Sequence, residues 1–161
     1  MKFSILTASD KGSKGERYDQ SAAVIKEKLS KFNAKLIDYI ILPDEREIIA
    51  TELKKMCDTT EVELILTTGG TGFSPRDITP EATLDVIERQ AMGIPEAMRQ
   101  KSLEITSRAM LSRAVAGIRG KTLIINLPGS PKAVSECLDV ILDVLPHALE
   151  ILSGHGGECA R

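Results

Sequence analysis

Apolar positions along the chain alternate between two rhythms. Residues 2–8 (KFSILTA), 34–42 (AKLIDYIIL), 63–68 (ELILTT) and 121–127 (KTLIINL) are short apolar runs that predict four strands. Between them the spacing lengthens. From Asp19 onward, Ala22, Ile25, Leu29 and Phe32 recur at intervals of 3, 4 and 3, which is one face of a helix. Pro43 stops the second run, and Asp44 with Glu47 reads as a D-x-x-E capping box opening a helix that carries Ile49, Leu53 and Met56. Thr79 as N-cap and Pro80 as first helical residue predict a further helix, with Ala82, Val86 and Ile87 inward, running to Gly93; another follows Pro95. Residues 108–119 (RAMLSRAVAGIR) alternate weakly and suit an edge strand or a loop equally. After Ser130 and Pro131, the positions Val134, Leu138, Ile141, Leu145 and Leu149 describe a long amphipathic helix. Pro146 lacks an amide donor and should kink or interrupt it.

Strands alternating with helices imply parallel pairing through right-handed crossovers, so the expected fold is a three-layer α/β/α sandwich with a mostly parallel central sheet. The length, 161 residues, and the lack of an internal repeat or linker fit one domain spanning 1–161, with the Gly-rich residues 154–161 a flexible tail. Lys and Arg number 21 against 23 Asp and Glu, a net charge of −2 with no basic run, and only 3% of residues are aromatic. That balance excludes a nucleic-acid gripping role, which needs a basic stripe or stacking platforms. Cys57, Cys137 and Cys159 form no CxxC, and the histidines are His147 and His155, so neither a disulfide framework nor a Cys/His zinc centre is expected. Cys57 and Cys137 read as small buried apolar residues. The opening MKFSILTASD is too short and broken for a signal-peptide core, and no apolar window approaches a membrane span, so a cytoplasmic location without membrane contact is expected.

In an open parallel sheet, ligands bind beyond the carboxyl ends of the strands. On this edge fall Ser9 and Asp10, then Asp44, then Thr68 to Gly72, then Asn126 to Ser130. The loop TTGGTGFSPRDITPE carries Gly69, Gly70 and Gly72, which let backbone amides turn toward an anion, and Thr68 and Thr71, whose hydroxyls can donate. It is no Walker A loop, because no Gly-Lys-Ser/Thr follows, and Pro75 stands where the last glycine of GxGxxG would fall. Asp77 can stabilise a turn, but a carboxylate beside a phosphate cradle repels the ligand unless a cation lies between, which points to Mg²⁺. Asp44 is either a helix cap or a second acidic partner, and Asp10 is open to the same two readings. Pro128, Gly129 and Ser130 offer a second close backbone approach, leading into a helix N-terminus that favours an anion. Paired carboxylates facing such loops fit metal-assisted phosphoryl or nucleotidyl transfer. No Ser-His-Asp or Cys-His pair is evident, which disfavours covalent catalysis.

The segments LTASDKGSKGERYDQS, TTGGTGFSPRDITPEAT, GIPEAMR, MLSRAVAGIRG and TLIINLPGSPKAV together closely resemble the MogA/MoaB family of molybdenum-cofactor biosynthesis proteins, which includes the G domain of gephyrin. The resemblance spans nearly the whole chain. It implies a homotrimer that binds molybdopterin and couples it to ATP with Mg²⁺, leaving adenylyl-molybdopterin and pyrophosphate, with hand-over of the product to a molybdate-inserting protein. By the same resemblance Asp77 and Asp44 are the catalytic, metal-holding pair, and Gly69, Gly70, Thr71 and Gly72 are the phosphate loop. Pro128, Gly129 and Ser130 are then the second wall of the nucleotide pocket, and Ser112 lines it. Ile94, Met98, Met110 and Leu111 are expected between subunits. The motifs also suit a MoaB-type, non-catalytic molybdopterin-binding or scaffold protein, and a nucleotide-binding regulator indifferent to the pterin is a third reading.

Overall fold

A computed structural model describes residues 1–59 and 61–155. Along the chain run β1 (Lys2–Ala8), α1 (Asp10–Ser13), α2 (Gln20–Ser30), β2 (Lys35–Leu42), α3 (Arg46–Thr59), β3 (Leu64–Thr68), α4 (Thr79–Leu84), β4 (Arg89–Gln90) and α5 (Gly93–Leu103). A 3-10 turn at Ser107–Leu111 leads to β5 (Ala116–Arg119), β6 (Thr122–Leu127), α6 (Pro131–Ile141) and α7 (Leu145–Ser153). The strands form one sheet in the order β2-β1-β3-β6-β5-β4. β2, β1, β3 and β6 are parallel neighbours, while β5 and β4 add an antiparallel flank.

Side chains alternate across a strand, and here the alternation builds two cores. Phe3 and Ile5 of β1, Leu64 and Leu66 of β3, and Leu123, Ile125 and Leu127 of β6 meet α2, α5, α6 and α7 on one face. Leu6 and Ala8, Ile65 and Ile124 meet α3 and α4 on the other. Ala22, Ile25 and Leu29 of α2, and Ile49, Leu53 and Met56 of α3, are the buried stripes expected from their helical spacing. The three-layer architecture is therefore the expected one. A polar tie crosses the second face: the Asn126 amide nitrogen donates to Thr67 Oγ1 and Thr83 Oγ1, both at 2.9 Å, and its Oδ1 accepts the Val115 amide. That network joins β6, β3, α4 and the approach to β5 without leaving the buried amide unsatisfied.

Several local expectations are corrected. Asp44 does not cap α3: the helix begins at Arg46, the Ile49 amide bonds the Glu45 carbonyl, and the Asp44 carboxylate is turned to another partner. Thr79 is the first residue of α4 rather than its cap: Ile78 precedes the helix, the Thr79 amide donates to the Gly70 carbonyl, and its hydroxyl accepts no amide of the first turn. That helix stops at Leu84, and Gly93 opens α5 rather than ending α4, since the chain dips between them to form the short edge strand β4. Residues 108–119 split into part of the 3-10 turn and β5, which reverses at Gly120-Lys121 into β6 as a two-residue hairpin. The long C-terminal helix is two helices, with Pro146 in the first turn of α7, where no carbonyl needs its missing donor. Cys137 is buried as expected, but Cys57 is only half-buried, and burial pushes its thiol up to about 11. Met98 belongs to the core of the protomer and is not free for a subunit contact; Ile94 packs against that core but stays partly exposed, and Met110 and Leu111 are exposed. Gly154 closes α7 in a left-handed conformation, and residues 156–161 of the expected tail, Cys159 among them, lie outside the described residues. No helix among the described residues is long and apolar enough to cross a membrane.

Candidate active site at the carboxyl edge of the sheet

The carboxyl ends of β1, β2, β3 and β6 converge on one rim. Ser9 leaves β1 and caps α1, accepting the Gly12 amide at 2.9 Å. Asp10 and Asp44 are locked reciprocally. The Asp10 amide donates to Asp44 Oδ2 at 2.9 Å, and the Asp44 amide donates to Asp10 Oδ1 at 3.0 Å. Arg76 then forks onto both Asp10 oxygens, at 2.8 and 2.9 Å, and reaches Glu45 Oε1 at 3.0 Å. The Arg76 hydrogen bonds hold the Asp10 carboxyl below its usual range. Asp44 goes the other way: burial raises it, and the nearby Asp10 and Asp77 charges add to that, against the opposing Asp10 amide and Arg76.

The β3 loop comes closest to its neighbours where it carries no side chains. Gly69 has φ of +91°, and a β-carbon there would lie 2.3 Å from the Ala8 carbonyl oxygen. Gly70, at φ of +63°, leaves space into which Thr79 Oγ1 and Asp44 Oδ1 press, 2.4 and 3.1 Å from where its β-carbon would be. Gly129, in the loop after β6, lies so near Gly69 that its own β-carbon would come within 3.4 Å of the Gly69 Cα. Thr68 Oγ1 donates to the Pro128 carbonyl at 2.6 Å and Ser21 Oγ to the Gly129 carbonyl at 2.9 Å, so these hydroxyls stitch the loops together. Thr68 is thus a structural tie and not the free phosphate donor expected of it. Ser130 caps α6, accepting the Ala133 amide at 3.2 Å with Pro131 as the first helical residue.

Asp77 closes its own turn, with its amide donating to the Ser74 carbonyl and its Oδ2 accepting the Ser74 amide, both at 2.9 Å. The turn-stabilising reading is therefore part of its role, and its Oδ1 accepts no hydrogen bond among the described residues. Asp44 likewise uses only Oδ2. Two cavities meet here. One, of about 730 Å³, is lined by Ser9, Asp44, Thr68, Gly69, Gly70, Asp77, Gly129 and Ser130 among others. The second, of about 470 Å³, shares Gly70, Asp77, Gly129 and Ser130 and adds Thr71, Gly72, Ser112 and Pro128. Of the expected site residues, only Asp10 lines neither; it acts behind Asp44. Sequence reasoning missed Arg17, Tyr18 and Asp19 in the first cavity and Arg99, Ser102 and Arg108 in the second. Asp19 read only as the start of a helix, which it caps through the Ala22 amide while also accepting Thr7 and Tyr39 hydroxyls. Among the described residues no three His, Cys, Asp or Glu side chains cluster as a metal cage.

An open sheet with a glycine-lined, acidic crevice at its strand ends is the architecture of an α/β protein that handles phosphorylated ligands. The chain belongs to the probable molybdopterin binding domain family, whose model matches residues 4–147. It is 46% identical over 153 residues to the molybdopterin adenylyltransferase of Helicobacter pylori strain J99, covering 94% of this chain and 87% of that one. It is 45% identical to gephyrin of Dictyostelium discoideum over 92% of this chain and 22% of gephyrin. The crystal structure of the molybdopterin biosynthesis enzyme MoaB from Thermus thermophilus superposes with a TM-score of 0.90 at 47% identity, covering 96% of this chain and 98% of that one.

The two rim aspartates should separate in a carboxyl NMR titration of the substrate-free protein, with Asp44 above 3.8 and Asp10 below it. Because its folded value is raised, Asp44 contributes stability that is present below its unfolded pKa and lost as pH rises through the folded one. Arg76→Ala should move the Asp10 midpoint upward; an unmoved midpoint would rule out the Arg76 fork as its cause.

Proposed function

We propose that this protein is a cytoplasmic molybdopterin adenylyltransferase, joining the AMP part of ATP to molybdopterin and releasing pyrophosphate. The observation that carries the reading is the placement of Asp44 and Asp77 in one cavity with the Gly69–Gly70 backbone and the N-terminus of α6. The name of the Helicobacter relative supports the choice of substrate, and the free thiols of Cys57 and Cys137 suit a reducing compartment. The two adjoining cavities give two substrates a common wall at which to meet, which turns a bimolecular encounter into a positioned one.

In this reading, loop amides and the α6 N-terminus bind phosphate oxygens. A phosphate oxygen of molybdopterin bonds to the α-phosphorus of ATP, the bond from that phosphorus to the bridging oxygen breaks, and pyrophosphate leaves with the electron pair. The attacking group is already an anion, so no side chain has to take a proton. The oxygens of Asp44 and Asp77 fit a hard divalent cation, since each keeps one oxygen outside the hydrogen bonds described above. Mg²⁺ bound there supplies charge neutralisation for the transferring group. The product then passes to the protein that inserts molybdate.

Self-association into a trimer is part of the proposal. Leu103, Ile105, Met110 and Leu111 stand 45%, 52%, 64% and 44% exposed within nine residues of chain, a local apolar surface that a partner copy would cover. Light scattering at micromolar concentration should give three times the chain mass, reduced by Met110→Glu; a monomeric mass for the native protein would reject this part of the proposal.

Purified protein given molybdopterin, ATP and Mg²⁺ should release pyrophosphate. Asp77→Ala should keep its thermal melt and lose that release by about two orders of magnitude or more, the loss typical of removing a transition-state charge contact. Pterin binding without pyrophosphate would identify a non-catalytic carrier, and ATP binding indifferent to the pterin a regulator; either outcome overturns the enzymatic reading.

A further inference from the structure

Arg113 precedes β5 in a segment whose hydrophobic pattern singles out no role for it, yet all three of its guanidinium nitrogens are committed to the loop that carries Asp77 and the helix after it. Its Nε donates to the Gly72 carbonyl at 2.7 Å and its Nη2 to the Asp77 carbonyl at 2.5 Å, while Nη1 pairs with Glu81 in the first turn of α4. Its own amide donates to the Thr71 carbonyl at 2.9 Å. The Gly72 and Asp77 carbonyls receive no other hydrogen bond among the described residues. They bracket the turn in which Asp77 Oδ2 accepts the Ser74 amide, a bond internal to the loop that does nothing to fix the loop on the protein. The outer anchor of this loop, Arg76 on Asp10 and Glu45, is about half exposed and screened by water; Arg113 is two-thirds buried, so its bonds are the firmer hold.

We propose that Arg113 is a positioning residue for Asp77, its guanidinium fork tying both ends of the Gly72–Asp77 turn to α4 so that the Asp77 carboxylate is presented at the wall common to the two cavities. This inference rests on the adenylyltransferase reading for its kinetic consequence, and on the hydrogen bonds alone for its structural one. Only an arginine can do this: a planar fork reaches two carbonyls and a carboxylate at once, whereas an ammonium is a single point of charge. Arg113 touches neither cavity, so its effect on turnover must pass through Asp77. A displacement of that carboxylate by about 1 Å is enough to cost about 100-fold in rate.

The test compares Arg113→Ala and Arg113→Lys with wild type in kcat and in KM for ATP, with and without millimolar guanidinium chloride in the assay, and follows amide hydrogen exchange of Ser74 and Asp77 in the substrate-free protein. Arg113→Ala should lose about 100-fold in kcat with KM for ATP little changed. Free guanidinium should return part of that loss, which a merely unfolded or loosened protein would not show. The Ser74 and Asp77 amides should exchange faster. Arg113→Lys, which keeps the charge and the Glu81 pair, should fold and still fall well short of wild-type kcat, and it decides the question should the alanine variant not fold. Wild-type kcat in either variant, or unchanged exchange in the loop, overturns the assignment. A wild-type protein that releases no pyrophosphate defeats the adenylyltransferase reading instead, and the exchange measurement then still decides whether Arg113 holds the turn.

Discussion

The whole rim depends on backbone meeting backbone. Gly69 sits against the end of β1 with no room for a β-carbon, Gly129 closes on Gly69, and Thr68 and Ser21 hydroxyls hold the β6 loop to β3 and α2. Any side chain at Gly69 would force the β1 and β3 ends apart and the crevice would open at its floor. That close approach brings loops from three strands to one place, and at Gly69, Gly70 and Gly129 the cavity wall is backbone alone. Backbone amides cannot be mispositioned by rotamer choice, so a site built this way is fixed before any substrate arrives.

Electrostatics follow from that geometry. Asp10, Asp44 and Asp77 crowd the rim, and the protein separates their roles by what surrounds them. Asp10 is neutralised in place by Arg76 and braces Asp44 through paired main-chain bonds. Asp44 is partly buried and held less acidic than usual, a state that a cation would reverse. Asp77 is attached through its own turn and through Arg113, so the Asp44 and Asp77 carboxylates are anchored independently, one from the β1–β2 side and one from α4. Under the proposed reading, a cation would find two oxygen donors here, with phosphate and water in the remaining positions.

Much of this was legible in the sequence because it depends on periodicity and on loop composition. The stripes through Ile25 and Leu29, Leu53 and Met56, and Val134 and Leu138 are buried as their spacing requires. The convergence of Ser9, Asp44, Thr68–Gly72 and Gly129 follows from parallel strand order once four strands are recognised. The errors arise where a residue's partner is distant in sequence. Asp44 looked like a cap because Glu47 follows it, but Asp10, 34 positions away, claims its carboxylate. Gly93 looked like a terminator because nothing local shows that the chain has already left α4 to pair with β5. Asp19 hid behind its capping role, and Arg113 lay in a stretch whose weak alternation reflects a 3-10 turn joined to a four-residue strand. Long-range hydrogen bonds of this kind leave no periodic trace.

If the proposed function holds, one crevice at the carboxyl edge takes a triphosphate and a divalent ion between Asp44 and Asp77. A crystal structure of the protein with a non-hydrolysable ATP analogue and Mn²⁺, located by its anomalous signal, tests it most directly. The metal is expected on oxygens of both aspartates and of the triphosphate, with phosphate oxygens on the Gly69–Gly70 and Gly129–Ser130 backbone. A triphosphate seated away from this rim, or a metal that touches neither aspartate, would contradict it.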